Sequence, residues 1–270
     1  MKQISILGCG WLGLPLAKSL LKKGFCVKGS TTSLDKISVL KSSGIHPYLV
    51  TLSAVEGLNG EKEINSFLEN SELLIIDIPP KLRGNSNENF VRKIQNLIPF
   101  VEKSTVKKVV FISSTSVYAD DNSIITETTK PQPDSESGKQ LLEAETLLQS
   151  NANFKTTIIR FGGLIGENRH PIHFLAGRHN LENPEAPINL IHQMDCIGSI
   201  EAVINQDCWL EIFNAVAPFH PTRKKYYTQK AVELNLPKPE FDETNISIGK
   251  TVSSDKMITL LDYQFQNINL

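Results

Sequence analysis

Three glycines, Gly8, Gly10 and Gly13, give a G-x-G-x-x-G spacing inside "ISILGCGWLGLPLAKSLLKKG". An apolar run precedes them and an amphipathic, helix-period segment follows, which is the setting in which such a loop receives the phosphates of a dinucleotide. Gly8 permits the tight turn, Gly10 lets a pyrophosphate approach the backbone, and Gly13 lets helix and strand pack closely. Free N–H groups at the helix start, around Trp11 and Leu12, and the positive end of the helix dipole would hold the phosphates. NAD-binding folds place an acid about 20 residues further on to grip the ribose 2′-OH. Here the chain reads "KGSTTSLDK" and offers Ser30, Thr31 and Thr32 with Lys36, and no carboxylate at the expected site. A 2′-phosphate would not be repelled, so NADP is the favoured cofactor and NAD the alternative. Ser33 has a second reading, as the cap of the next helix, compatible with either.

A second group of reactive side chains lies in "IGENRHPIHFLAGR", which gathers Arg169, His170, His173 and Arg178. Arginine forks suit a carboxylate, a phosphate or a nucleotide-sugar diphosphate. Arg169, His170 and Arg178 are therefore candidate substrate contacts, with pinning of a long loop to the sheet as the equal alternative. No Cys, Asp or Glu at ligand spacing joins the histidines, so no metal is expected. "PINLIHQMDC" adds Asn189 as a substrate contact and His192, which could titrate near neutral pH, as a candidate acid or a structural histidine. A literal Y-x-x-x-K, Tyr226 to Lys230, sits in a basic amphipathic helix where such residues pack and solvate; it reads as fortuitous.

These residues need a scaffold, and the chain supplies one. Over the first two thirds, short apolar runs alternate with helix-period segments, the pattern of βαβ units around a parallel sheet. Strands are expected at Gln3 to Gly8, Phe25 to Ser30, His46 to Leu52, Glu72 to Ile78, Lys108 to Ser113 and Thr156 to Phe161. Helices are expected at Leu12 to Lys23, Ser33 to Ser42, Glu61 to Asn70, Glu88 to Lys103 and Ser137 to Gln149. The result is an α/β fold, a Rossmann doubly wound parallel sheet with ligand sites at the carboxyl ends of its strands. Ile78 and Pro79, ending "LLIIDIPP", should pass beside the adenosine side of the cofactor, with Asp77 a buried or loop-anchoring acid. After about Phe161 the rhythm breaks. Residues 162–270 read mainly as a small α+β second lobe that binds substrate, partly interleaved with the sheet. It should hold strands at Ile188 to Ile191 and near Leu210 to Ala215, and helices near Met194 to Asn205 and Thr222 to Leu234.

Composition narrows the partners. Lys and Arg number 28 against 29 Asp and Glu, a net charge of −1. With no basic stripe, neither nucleic acid nor an anionic membrane is an expected partner; a small molecule or a second copy of the chain is. The segment "KQISILGCGWLGLPLA" imitates a lipoprotein leader, but its apolar run before Cys9 is too short for a signal core. No other stretch approaches the ~20 apolar residues of a membrane span, and Cys9, Cys26, Cys196 and Cys208 show no metal-ligand spacing. A reducing, cytoplasmic setting is expected.

"VVFISSTSVYADD" resembles the S-S-x-x-V-Y-G segment of the extended short-chain dehydrogenase/reductases, the NAD(P)-dependent epimerase/dehydratase family. Through "IIRFGGLIG", "NLIHQMDCIGSIEAV", "EIFNAVAP" and "GKTVSSDKMITLLDYQF" the resemblance spans nearly the whole chain. "GxGWLG" and "NLIH" mark an atypical, YeeZ-like branch. The resemblance implies that Ser113 lies beside the cofactor, that Ser114 binds the substrate carbonyl or hydroxyl, and that Tyr118 is structural. It also implies a structural role for Asp195 at its helix start and pairing of copies into a homodimer.

Two departures stand out. The extended group usually carries G-x-x-G-x-x-G, and position 7 here is Leu. The family's Y-G-x-x-K, followed four residues later by Glu, aligns through Gly138 and Glu145 to place Ser137 where the tyrosine stands and Leu141 where the lysine stands. In the family the tyrosine is the general acid/base and the lysine lowers its pKa. A serine donates a proton poorly, leucine carries no charge, and Lys139 projects from a different face of the helix. Ser137 would thus act through a hydrogen bond or a water. Two functions follow: an NAD(P)-dependent oxidoreductase or epimerase of a small, anionic or sugar-like substrate, with Ser114, Ser137 and His192 as candidate catalytic residues, or a dinucleotide sensor without turnover.

Overall fold

A computed structural model describes residues 2–55, 60–80 and 89–268. The chain runs β1 (Gln3–Leu7), α1 (Gly13–Lys22), β2 (Cys26–Thr31), α2 (Asp35–Ser42), β3 (His46–Leu49), α3 (Glu61–Leu68), β4 (Leu73–Ile76), α4 (Phe90–Lys103), β5 (Lys108–Ser114) and a single 3-10 turn (Thr115–Val117). It continues through β6 (Ile124–Ile125), α5 (Glu136–Gln149), β7 (Lys155–Phe161), β8 (Gly163–Ile165), α6 (Ile172–Leu175), β9 (Leu190–His192) and α7 (Gln193–Asn205). The last elements are β10 (Ile212–Ala215), α8 (Arg223–Glu233), β11 (Thr251–Val252) and α9 (Asp255–Leu261).

Seven strands form one sheet in the order β10-β7-β5-β4-β1-β2-β3, and every neighbouring pair is parallel. This is the Rossmann doubly wound arrangement expected from the alternation. The strand order reverses between β1 and β4, opening a crevice at their carboxyl ends. Period-two alternation sorts the strand side chains between two cores. Leu74, Ile76, Val109 and Phe111 join one cluster with α3, α4 and α5. Ile4, Ile6, Leu73, Ile75 and Val110 join the other, with α1 and α7. Burial on both faces explains why these strands read as continuous apolar runs.

Several expected ends coincide with the observed ones and the rest differ by up to three residues; for the strands this is because a parallel ladder ends where pairing ends and not where apolar composition does. The expected start of α4, Glu88, lies outside the described residues. Ser33 does not cap α2: the helix begins at Asp35 with no side-chain cap. Past Phe161 the chain returns twice to the main fold. β10 extends the sheet beside β7, while α7 and α9 place Cys196, Ile200, Met257 and Leu261 in the α1-side core. What remains as the second lobe has its own small core of Ile165, Ile172, Ile188, Leu190, Tyr226, Tyr227 and Ala231. Two short parallel pairs, β8 with β9 and β6 with β11, tie it to the sheet. Among the described residues no helix is long and apolar enough to cross a membrane.

Candidate active site

The glycine loop sits in the β1–β4 crevice. Gly8 has φ +107°, and a methyl there would come within 2.2 Å of the Asp77 carbonyl oxygen, so both conformation and space demand glycine. A methyl on Gly13 would come within 2.2 Å of the Gly8 carbonyl oxygen, which sets how closely α1 approaches the loop. At Gly10 a methyl would meet nothing within 4 Å; here the backbone opens onto the cleft. The loop is held from the side by β2, since Gly8 N–H donates to Ser30 Oγ at 2.9 Å and Cys9 N–H to the Ser30 carbonyl at 2.8 Å. No side chain caps α1 through its N-cap residue, Leu12.

Around the loop lies a cavity of ≈ 360 Å³, lined by Gly8 to Gly10, Ser30, Thr31, Thr32, Lys36, Ile78 and Pro79. The structure thus gathers the candidate cofactor residues of β1, β2 and β4 on one wall. Their roles differ in detail: Ser30 is buried and locks the loop, Thr31 Oγ1 accepts Ser33 N–H at 3.1 Å, and Thr32 and Lys36 are exposed. Val50, Thr51 and Leu52 after β3, and Phe90 and Lys93 of α4, complete the cavity. Sequence reasoning had not named these five. The signal was their place at the carboxyl side of the sheet, which only the strand order makes visible.

Asp77 also lines the cavity. Its carboxyl accepts the Gly13 N–H, and enclosure beside the loop pushes it up to about 8 against that hydrogen bond and the pull of Arg169. From the second lobe, a turn closed by reciprocal Gly166 and Arg169 backbone hydrogen bonds lies against the loop. A methyl on Gly166 would come within 2.8 Å of the Trp11 ring, the Arg169 guanidinium stands 4.9 Å from that ring's centre, and Gln193 Nε2 donates to the Trp11 carbonyl at 2.6 Å. Trp11 is therefore the point at which the Gly166–Arg169 turn and α7 clasp the glycine loop.

Ser114 ends β5, and its Oγ accepts the Ser116 N–H at 3.1 Å, starting the 3-10 turn. A methyl on Gly138 would come within 2.3 Å of the Ser116 carbonyl oxygen, so the first turn of α5, with Ser137, packs directly on the Ser114 turn. Ser135 is the N-cap of α5, donated to by Gly138 N–H. Leu141, one turn further, is buried in the core. Ser113 is buried beneath and hydrogen-bonds Glu145. Glu145 takes a fork from Arg160, with Nη2 to Oε2 at 2.5 Å, and Arg160 Nη1 donates to Tyr118 Oη at 2.6 Å. This buried network, which sequence reasoning missed apart from Tyr118, fixes β5, β7 and α5 against one another. The Ser113 side chain serves it, and Ser113 does not line the cavity around the glycine loop.

Two expected substrate contacts, Asn189 and His170, make hydrogen bonds elsewhere. Asn189 donates to the Lys250 carbonyl at 2.8 Å and accepts Val252 N–H at 2.9 Å, which holds β11. His170 Nδ1 accepts Ile172 N–H at 3.1 Å, leaving the Nε2 proton to meet Tyr226 Oη at 2.9 Å. Burial, aided by Lys230 and His173, pulls His170 down to about 4. It is a neutral lobe histidine. Arg178 is exposed and its backbone meets Leu175 and Glu240, while Arg169 alone of the four reaches the loop. His192 caps α7, Nδ1 accepting Met194 N–H at 3.2 Å. Tyr226 is buried against His170 and Lys230 pairs with Glu233, so the Y-x-x-x-K run of α8 belongs to the lobe. Among the described residues no cluster of His, Cys, Asp and Glu could hold a metal ion.

Comparison with known proteins places this geometry. The sequence pattern of the NAD dependent epimerase/dehydratase family matches residues 85–192. Protein YeeZ of Escherichia coli (strain K12) is 33% identical over 267 residues, 98% of this chain and 96% of that protein. UDP-glucuronic acid 4-epimerase from Bacillus cereus, solved with NAD, superposes with a TM-score of 0.81 at 18% identity, covering 98% of this chain and 92% of that one. A short-chain dehydrogenase/reductase superfamily protein from Agrobacterium tumefaciens with bound NAD gives 0.81 at 15% identity, again over 98% and 92%.

Proposed function

The chain belongs to the NAD-dependent epimerase/dehydratase family, and from that premise we propose that it binds NAD(P) at the Gly8–Gly13 loop and acts as an oxidoreductase or epimerase on a small, anionic or sugar-like substrate. The observation that carries this is the glycine loop itself. Its left-handed Gly8 and its open backbone at Gly10 face one cavity, which suits a pyrophosphate. The solved neighbour that epimerises UDP-glucuronic acid supports an anionic sugar nucleotide as the substrate class, and Arg169 is the cation placed to meet it. NADP is favoured over NAD, because Thr32 and Lys36 line the cavity at the end of β2 and no acid stands there to claim a 2′-OH.

In this reading a bound nicotinamide supplies the hydride chemistry. Ser114 orients the reacting oxygen from the end of β5, and Ser137, packed on the same turn, passes a proton through a water. His192 is the remaining candidate acid. A sensor without turnover is the second reading, and the observation favouring it is Leu141, a core residue where the family's lysine is expected. Titration with NADPH and NADH, followed by cofactor fluorescence and melting temperature, tests the binding claim. Tighter binding of NADPH, reduced toward that of NADH by Lys36→Ala, is expected; equal or preferential NADH binding overturns the NADP assignment. Ser114→Ala should lower turnover of a substrate at least about tenfold with cofactor affinity unchanged, and unaltered turnover removes Ser114 from the chemistry.

A further inference from the structure

The residue at the end of β4 has no counterpart in the loop logic described so far. A phosphate-binding loop gathers N–H donors and positive potential, yet an acid, Asp77, lines the same cavity. Its Oδ2 would lie 3.0 Å from a methyl on Gly13, and it accepts the Gly13 N–H. That N–H lies beside the loop donors, around Trp11 and Leu12, that a pyrophosphate would use. We propose that Asp77 is a determinant of dinucleotide affinity, its carboxyl opposing the bound pyrophosphate when ionised and donating a hydrogen bond to it when neutral. The proposal rests on the cofactor reading above and adds to it a named residue and a proton.

In the complex one carboxyl oxygen keeps the Gly13 N–H while the O–H of the other donates to a phosphate oxygen, a short charge-assisted bond. An ionised carboxylate has no proton to donate and repels the diphosphate across a partly enclosed cleft, where screening is weak. Binding above the pH at which Asp77 ionises therefore takes up one proton from solvent. Burial, and not a facing charge, favours the neutral form of Asp77 at neutral pH. Cys9 of the loop and Cys196 of α7 are buried thiols held above their ordinary range, and neither offsets a negative charge. Arg169, from the second-lobe turn, is the cation that acts on Asp77, and it is exposed and stacked over Trp11. Lys36 of α2 and Lys93 of α4 line the same cavity. Enclosure outweighs Arg169 and sets the carboxyl at about 8.

The test is calorimetric titration of NADH, whose diphosphate does not itself titrate in this range, from about pH 6.5 to about 9.5 into wild type and Asp77→Asn, in two buffers of different ionisation enthalpy. Wild-type affinity is expected to be level to about pH 8 and then to fall by up to about tenfold per pH unit, with uptake approaching one proton per NADH. Asp77→Asn should bind with no such fall and no such uptake. Proton uptake is read on the wild type alone, so the test survives a variant that does not fold. Wild-type binding that is level in pH and proton-neutral overturns the proposal and leaves the cofactor reading standing, as does an identical pH profile in Asp77→Asn. A wild type that binds neither NADH nor NADPH at any pH overturns both.

Discussion

At the scale of single residues, two kinds of position govern this protein. The glycines act through the space that they leave: Gly8→Ala puts a methyl 2.2 Å from the Asp77 carbonyl and strains a φ of +107°. It should distort the loop while the sheet persists, lowering the melting temperature and abolishing dinucleotide binding. The buried charges act through pairing. Glu145 and Arg160 are each about 2% exposed, and Glu145→Ala leaves a guanidinium without its partner, which costs about 3–5 kcal/mol in urea unfolding. Asp77 adds a pH signature of its own. Its folded-state pKa, about 8, lies above the ordinary 3.8, so the folded chain holds a proton that the unfolded chain releases. Its contribution to stability is intact below about 4 and declines as pH rises toward 8. The melting temperature of Asp77→Asn should therefore gain on wild type between those limits, and a constant difference would refute the assignment. Gly8, Gly10 and Gly13 were legible in the sequence because their spacing is local. Glu145 with Arg160 was not, since nothing in either segment says that a helix and a strand 15 residues apart share a buried fork.

At the scale of elements, the strands that build the sheet were legible because burial on both faces writes them as unbroken apolar runs. The partner of β10 was not, because periodicity reports which face is buried and not which strand lies alongside. The short strands β6, β8, β9 and β11 hold two or three residues each, too few for any period, and they exist through pairing alone. The Arg169–Arg178 stretch shows the same limit. Its residues cluster in sequence, but His170 finds its partner Tyr226 56 positions away. Because His170 is held neutral, with its pKa lowered from 6.5 to about 4, its contribution is present above about 6.5 and is lost as pH falls toward 4. Hydrogen exchange should show α6 and α8 opening in that window before the main sheet. Asp195 at the start of α7 supplies another check. It accepts hydrogen bonds from Tyr263 Oη and from the Gln266 and Asn267 N–H groups, so Asp195→Ala should release protection over residues 263–267 and leave β1 to β5 unchanged.

At the scale of the whole molecule, the chain weaves between two bodies. It leaves the sheet after β7, returns for α7 and β10, departs again for α8 and returns for α9. The glycine loop lies at the seam, with Trp11 covered by Gly166 and Arg169 and held by Gln193. A dinucleotide at the loop would touch the main sheet on one side and this clasp on the other. In the proposed function, that arrangement would couple cofactor occupancy to the order of the second lobe, which would select the substrate. The fold was readable from pattern, whereas the clasp was not, because it joins a loop tip to residues more than 150 positions away through contacts that composition does not encode. The most direct test of the central claim is a fluorescence titration of wild type and Gly8→Ala with NADPH and NADH, with circular dichroism confirming that both proteins are folded. The account predicts saturable binding to wild type and none to the variant. Wild type that binds neither cofactor, or a variant that binds as well as wild type, would contradict it.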